Sequence, residues 1–340
     1  MKFKEKLLSP FKYLKTKTDD YFYDISVKIN NRKNHKTGNI NSLRRAQRRF
    51  IIGVFIYPTI LFLIFYVGVN LNSIILAFKS YDVLTYKYRW SGLENFIKFA
   101  KDIFQSPVLS KTAVNSLILY AVQIFLSMPV HILISYFIYK KVFLSETFKV
   151  ILFLPSIISS MVWVLIFRYF VDYGVPEILT LLKLNSSVNL LGDSSIAFRT
   201  IIFYNFWIGL AGGMLIYLGT MARIPYSITE AGKLDGMNSW QELWFIVLPL
   251  LYPLISIMLV TSVPTIFTNQ ANLYAFYRYD ADPNIYTFGY YLFIQVIGKK
   301  AGLVNYPYAS AGGLLFTVVV APLTIGLRYI LEKLGPSTEF

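Results

Sequence analysis

The chain has 340 residues, of which 55% are hydrophobic, 17% aromatic and only 15% charged, with a mean hydropathy of +0.51. That balance excludes an ordinary soluble globular domain and points to a membrane protein. The formal charge of +15 does not indicate a nucleic-acid binder, because 14 of the 33 Lys/Arg crowd into the first 49 residues beside 4 Asp/Glu.

Residues 1–49 form a basic segment. Either they lie on an anionic inner leaflet through Phe3, Leu7, Leu8, Phe11 and Leu14, or they are a disordered tail. A 49-residue basic leader does not fit a cleaved signal peptide, so the first apolar run is expected to be an uncleaved anchor. Crossing a hydrocarbon layer of roughly 30 Å takes about 20 apolar residues. Six runs qualify: 50–78, 114–137, 148–167 with Lys149 at its mouth, 200–221, 243–267 and 309–327. A seventh, Tyr286 to Ile297, is short and interrupted by Gly289, and reads as an interfacial or loop helix that does not span. The expectation is an all-α polytopic bundle of about six transmembrane helices, with one transmembrane domain over 50–335 and a short tail, 336–340.

Positive charge fixes sidedness. Loops 138–147, 222–242 and 328–340 are assigned to the cytoplasm with both termini, and 79–113, 168–199 and 268–308 face outward. Prolines within or beside the spans (Pro58, Pro129, Pro155, Pro253, Pro264, Pro322) are expected to kink them. The triplets Ala211, Gly212, Gly213 and Ala311, Gly312, Gly313 are expected to allow close helix contact.

The missing chemistry is informative. There is no cysteine, hence no disulfide and no thiolate metal site. No Asp, Glu or Arg lies within the six runs, and His131 is the one ionisable group well inside them, which disfavours a proton- or sodium-driven transporter. No phosphate loop, HExxH pair or GxSxG elbow occurs; Gly298, Lys299 and Lys300 lack the rest of a phosphate loop. The chain is not expected to be an enzyme, and its energy must come from another polypeptide.

Between the fourth and fifth runs the chain turns polar: SITEAGKLDGMNSW, residues 227–240. Ser227 and Glu230 have capping-box spacing, so a helix is expected to start there. Asp235 and Gly236 signal a turn, and Ser239 with Glu242 repeats the box to launch the fifth span. The result is a helical elbow offering Glu230, Lys233 and Asp235, either to a partner or simply to solvent. The residues Glu230, Ala231, Gly232, Asp235 and Gly236, followed by Ile246, Leu248 and Pro249, resemble the EAA signature of permease subunits of binding-protein-dependent ABC importers, carbohydrate branch, maltose and glycerol-phosphate type. The likeness extends over Asn115 to Tyr139, Phe148 to Gly174 and Trp207 to Pro253, covering about residues 50–335. Gly232 departs from the family's usual alanine, and Met237 from its usual small residue.

The resemblance implies that 222–249 is a coupling loop seated on a cytoplasmic ATPase, with Glu230 facing that subunit's basic groups and the helix after Ser239 acting as a lever. It implies two ATP-binding subunits, which hold the ATP, a second permease, an extracellular solute-binding lipoprotein, and a bacterial cell-membrane location. This chain itself is expected to hold no cofactor and no metal. For the solute, a sugar or oligosaccharide, aromatic and neutral polar side chains are the candidates. Ser156, Ser160 and Trp163 fall at i, i+4 and i+7, on one face of the third span, and Tyr204, Asn205 and Trp207 sit near the outer end of the fourth; close helix packing is the commoner role of such serines, and interfacial anchoring accounts equally for Trp207. The alternatives are another solute, such as glycerol phosphate, or a non-transport membrane scaffold.

Overall fold

The computed structural model describes residues 40–183, 189–298 and 302–335. The amphipathic reading of Phe3 to Leu14, the tail 336–340 and Lys299 with Lys300 lie outside the described residues. The chain divides into two compact units, Met1–Leu71 and Asn72–Phe340. Within the first, the apolar helix α1 (Gln47–Ala77) begins and carries no charged residue after Arg49.

In the second unit, a hairpin of β1 (Lys79–Asp82) and β2 (Lys87–Trp90) is followed by the amphipathic helix α2 (Glu94–Gln105). Neither was expected from the sequence; the hairpin is held by the Phe78–Trp90 stack and the Tyr81–Tyr88 contact. Then come α3 (Pro107–Tyr139), α4 (Ser145–Ile157), α5 (Ser160–Leu181), α6 (Ser194–Met221), the short α7 (Tyr226–Leu234), α8 (Ser239–Ser262), α9 (Phe288–Ile297) and α10 (Asn305–Leu334). Five of these helices, α1, α3, α6, α8 and α10, are long and apolar enough to cross a membrane, and the α4–α5 pair makes a sixth if it counts as one span. At ten residues, α9 reaches about 15 Å, too little to cross. Gly289 is required in it, because a Cβ there would sit 2.4 Å from the Thr268 carbonyl oxygen.

Three prolines share one local solution. Pro129, Pro176 and Pro249 each stand two residues after a π-helical turn, at Gln123–Ser127, Phe170–Gly174 and Leu243–Val247. In each, the residue before the proline donates five residues back: Met128 to the Gln123 carbonyl, Val175 to Phe170 and Leu248 to Leu243. Proline lacks an N–H and its ring crowds the carbonyl four residues earlier; widening the turn relieves that clash without ending the helix.

Loop contacts sort the connections into two ends. The Lys140–Glu242 ion pair and the Tyr252 hydroxyl, donating to the Leu331 carbonyl, join 138–147, the elbow and the end of α10. The opposite end is tied by Asn115 donating to the Asn284 and Tyr286 carbonyls, Tyr277 to Leu191, and Tyr88 to Leu303. Asp193 caps α6 there, and the Ser195 amide and hydroxyl hold its carboxyl below the usual range. Of the small residues, Gly213 admits the His131 ring and Gly312 the Phe99 ring, since a Cβ at either would clash, whereas Gly212 and Gly313 face open space; the Ala211 side chain is outside the described set.

Candidate functional site

The elbow is built by backbone chemistry. Its first helix begins at Tyr226, behind an extended Pro225 whose carbonyl accepts from Ile228, and no side chain caps it. The expected Ser227–Glu230 box does not form, because the helix starts two residues too early for Ser227 to be the cap. At the other end, the Gly236 N–H donates to the Lys233 carbonyl and the Met237 N–H to Gly232. With Gly236 at φ +79°, this is the paired closure of a Schellman motif, which satisfies two free carbonyls and needs a left-handed residue. The second helix start is also displaced: Asn238 and Gln241, not Ser239 and Glu242, exchange the capping-box hydrogen bonds, at 2.9 and 2.8 Å. Gln241 at the third helical position frees Glu242 for another role.

That role is tertiary. The Glu242 side chain is 4% exposed, and its Oε2 lies 2.6 Å from Lys140 Nζ at the end of α3. Beside it, the Tyr136 hydroxyl donates to the Ser239 carbonyl at 2.7 Å. Both contacts rest on an apolar cluster that includes Ile132, Tyr217, Met221, Leu243 and Val247.

The two faces of α7 differ. Thr229 and Gly232 are buried, while Glu230, Ala231, Lys233, Asp235 and Gly236 are exposed. Leu234 and Tyr226 join that exposed face, at 85% and 67%, with Lys233 over the Tyr226 ring. Gly232 and Met237 prove complementary: a Cβ on Gly232 would meet Ile246 Cδ1 at 2.8 Å and Met237 Sδ at 3.2 Å. The large side chain occupies the space that the missing methyl leaves.

The residues proposed for a solute path scatter. The third span is not one helix: α4 ends at Ile157, Ile158 and Ser159 are extended, and α5 leaves at 103°. Pro155 lies two residues before that end. Ser156 and Ser160 therefore share no helix face, and Ser156 donates back to its own Phe153 carbonyl. Trp163 reaches across the break, its Nε1 donating to the Pro155 carbonyl at 3.0 Å. Trp163 and Trp207 do meet edge to face, at 5.6 Å, joined by Phe167, Tyr204 and Phe276. Tyr204 is wholly buried. Asn205 is a clamp: its amide donates to the Ile201 and Ala271 carbonyls, and its oxygen accepts from Asn272.

A better lined space lies elsewhere. A cavity of about 300 Å³ between α3, α6 and the end of α8 is walled by Gln123, Ser127, His131, Thr261, Ser262 and Thr265 among others. Thr265 Oγ1 and Gln123 Oε1 are 3.1 Å apart. Thr261 and Ser262 donate to backbone carbonyls one turn back, so their lone pairs stay available as acceptors. The signal was present in the sequence, since Gln123, Ser127 and His131 repeat every four residues, as one helix face does. Taken singly, His131 gave no such indication. Among the described residues no group of His, Asp or Glu could hold a metal ion.

No family model matches the chain. Among curated proteins, it is 26% identical to the "Multiple sugar-binding transport system permease protein MsmF" of Streptococcus mutans, over 79% of this chain and 91% of that one. Its fold is similar to a chain of a bacterial ABC transporter that imports the acidic polysaccharide alginate, with a TM-score of 0.73 at 19% identity, covering 86% of this chain and 99% of that one. It also matches that alginate transporter in complex with its pentasaccharide-bound periplasmic protein, TM-score 0.69 at 20% identity, over 84% and 96% of the two chains. Its curated homologues are thus permeases of sugar ABC transport systems, and the fold is that of an ABC importer's membrane subunit. Such subunits are integral membrane proteins and are not enzymes.

Proposed function

We propose that this chain is a transmembrane permease subunit of an ATP-driven importer, passing a sugar or oligosaccharide handed over by an extracellular binding protein across a bacterial cell membrane. The observation that carries this reading is the elbow: a helical turn closed by its own backbone, buried on one side and open on the other, at the end of a bundle whose apolar runs hold no Asp, Glu or Arg. Glu230, Ala231, Lys233, Asp235 and Gly236, with Leu234, form the face that would seat on an ATPase subunit. The elbow end is then cytoplasmic, in keeping with the basic residues 1–49, and closure of two ATPases would swing the spans between inward- and outward-open states. A second permease would complete the pathway.

The cavity supports a neutral saccharide over a phosphorylated solute. Its walls offer an amide, hydroxyls and an imidazole but no Lys or Arg, and a dianion in a low-dielectric interior needs a paired charge. It also favours a transporter over a scaffold, which has no use for a hollow between spans that presents hydroxyls, an amide and an imidazole. Trp163 and Trp207 would form an aromatic shelf near the other end of the path.

The test is ATP hydrolysis by the complex isolated through a tag on this chain and reconstituted in vesicles. An importer brings down an ATPase whose turnover rises when the sugar-loaded binding protein is added. A scaffold gives no hydrolysis, and that result would overturn the reading.

A further inference from the structure

We propose that the buried Lys140–Glu242 ion pair is the positioning link that carries elbow movement into the second span, α3, ahead of the fifth span, α8. The inference rests on the importer reading above and names the internal connection through which it would act.

Two observations converge. First, the direct route from the elbow into α8 is soft. Only four residues, Ser239–Glu242, separate the elbow's turn from the π-helical turn Leu243–Val247, and Pro249 follows. A widened turn beside a proline has lost regular hydrogen bonds and bends more easily than an α-helix. A displacement of the elbow would be partly absorbed there.

Second, the route into α3 is stiff. Glu242 sits on the elbow side of that soft turn and grips Lys140 at 2.6 Å, with side-chain exposures of 4% and 20%. Its other oxygen, Oε1, is buried with no hydrogen-bond partner among the described residues, so Lys140 is the group that compensates its charge. The Tyr136 hydroxyl holds the Ser239 carbonyl one turn earlier. Two contacts one turn apart therefore fasten the end of α3 to the second half of the elbow. The stretch 129–139 of α3 carries His131 into the cavity wall, on the elbow side of α3's own π-helical turn at Gln123–Ser127, so moving the end of α3 moves the His131 side of the cavity.

The test uses the absence of cysteine from the chain. Ile216→Cys places one thiol in the cavity wall, at a side chain 45% exposed. In the complex isolated through a tag on this chain and held in lipid discs, labelling of this chain by a small maleimide is compared without nucleotide and with ATP plus vanadate. The parent should change labelling rate by about 5-fold or more, the lower bound of ordinary coupling. Glu242→Gln and Lys140→Met should abolish that change while the co-purified ATPase and its hydrolysis persist. Exchanging the charges, Lys140→Glu with Glu242→Lys, should restore it. If Glu242→Gln does not accumulate, Lys140→Leu with Glu242→Met leaves no buried charge, and carries the same comparison.

A full nucleotide response in the single variants or in the apolar double variant overturns the proposal. So does a loss confined to the amount of complex, with the response per complex unchanged. A parent with no ATPase and no response is a different result: it removes the importer reading, and this link with it.

Discussion

The elbow and the aromatic shelf of the third and fourth spans were both singled out from residue types and spacing, and they fared differently. At the elbow, the turn at Gly236 closes as its sequence suggests, because a glycine at φ +79° and two adjacent carbonyl acceptors settle it within six residues. At the shelf, spacing was only as good as the assumption of a continuous helix, and a 103° break between Ile157 and Ser160 removed that assumption. Short-range backbone chemistry can be read along the chain, whereas which side chains share a space depends on where other segments pass.

The sharpest way to break that contrast is Gly236→Arg. A left-handed conformation costs a non-glycine residue about 1–2 kcal/mol, and the large cation would stand in the exposed elbow face. Uptake and ATPase stimulation should vanish with the protein still in the membrane at its normal level; normal transport would deprive the elbow of its role.

Next in size is a pair of substitutions that separates holding from passing. Asn205→Ala abandons the Ala271 carbonyl and the Asn272 amide, and each buried polar group left unpaired costs about 1–3 kcal/mol. It should lower thermal stability in detergent and leave KM for sugar uptake unchanged. Thr265→Val or Gln123→Leu should do the reverse, raising KM by about 10-fold, the equivalent of one hydrogen bond of roughly 1.4 kcal/mol, at unaltered stability. If Asn205→Ala raises KM and the cavity variants do not, the solute path belongs near the shelf after all.

A smaller effect tests the displaced caps. Asn238→Ala should destabilise by about 1 kcal/mol, the usual worth of an N-cap, while Ser227→Ala should be neutral in the same melting experiment. Smallest is the complementary pair. Gly232→Ala gains up to about 1 kcal/mol of helix propensity but crowds Ile246 and Met237, so alone it should be close to neutral. Combined with Met237→Ala it should be more stable than the sum of the two single effects, and simple additivity would show that the two residues do not share that space.

Much of the candidate site was legible, but often with the wrong residue in the role. A helix start near 227 and another near 239 were both read correctly as features. Their actual caps, an extended Pro225 and the Asn238–Gln241 box, lie two residues and one residue earlier. Glu242 has a cap's spacing, yet Lys140, 102 positions away in sequence, draws it into a buried pair. His131, Gln123 and Thr265 carried a usable pattern only once considered together, because their meaning comes from lining one hollow and not from any single group.

By itself, the sequence determined that this chain is a polytopic helical membrane protein, where its apolar runs lie, and that one polar elbow interrupts them. Length against hydrocarbon thickness, and the absence of Asp, Glu and Arg from the apolar runs, settle those matters residue by residue. Only the tertiary structure decided that the third span breaks at Ile158, that a hairpin and an amphipathic helix fill the first long loop, and that Glu242 faces Lys140. It also decided which neutral groups enclose the cavity. The reason is that burial and ion pairing are properties of two segments meeting, and neither segment records the meeting alone.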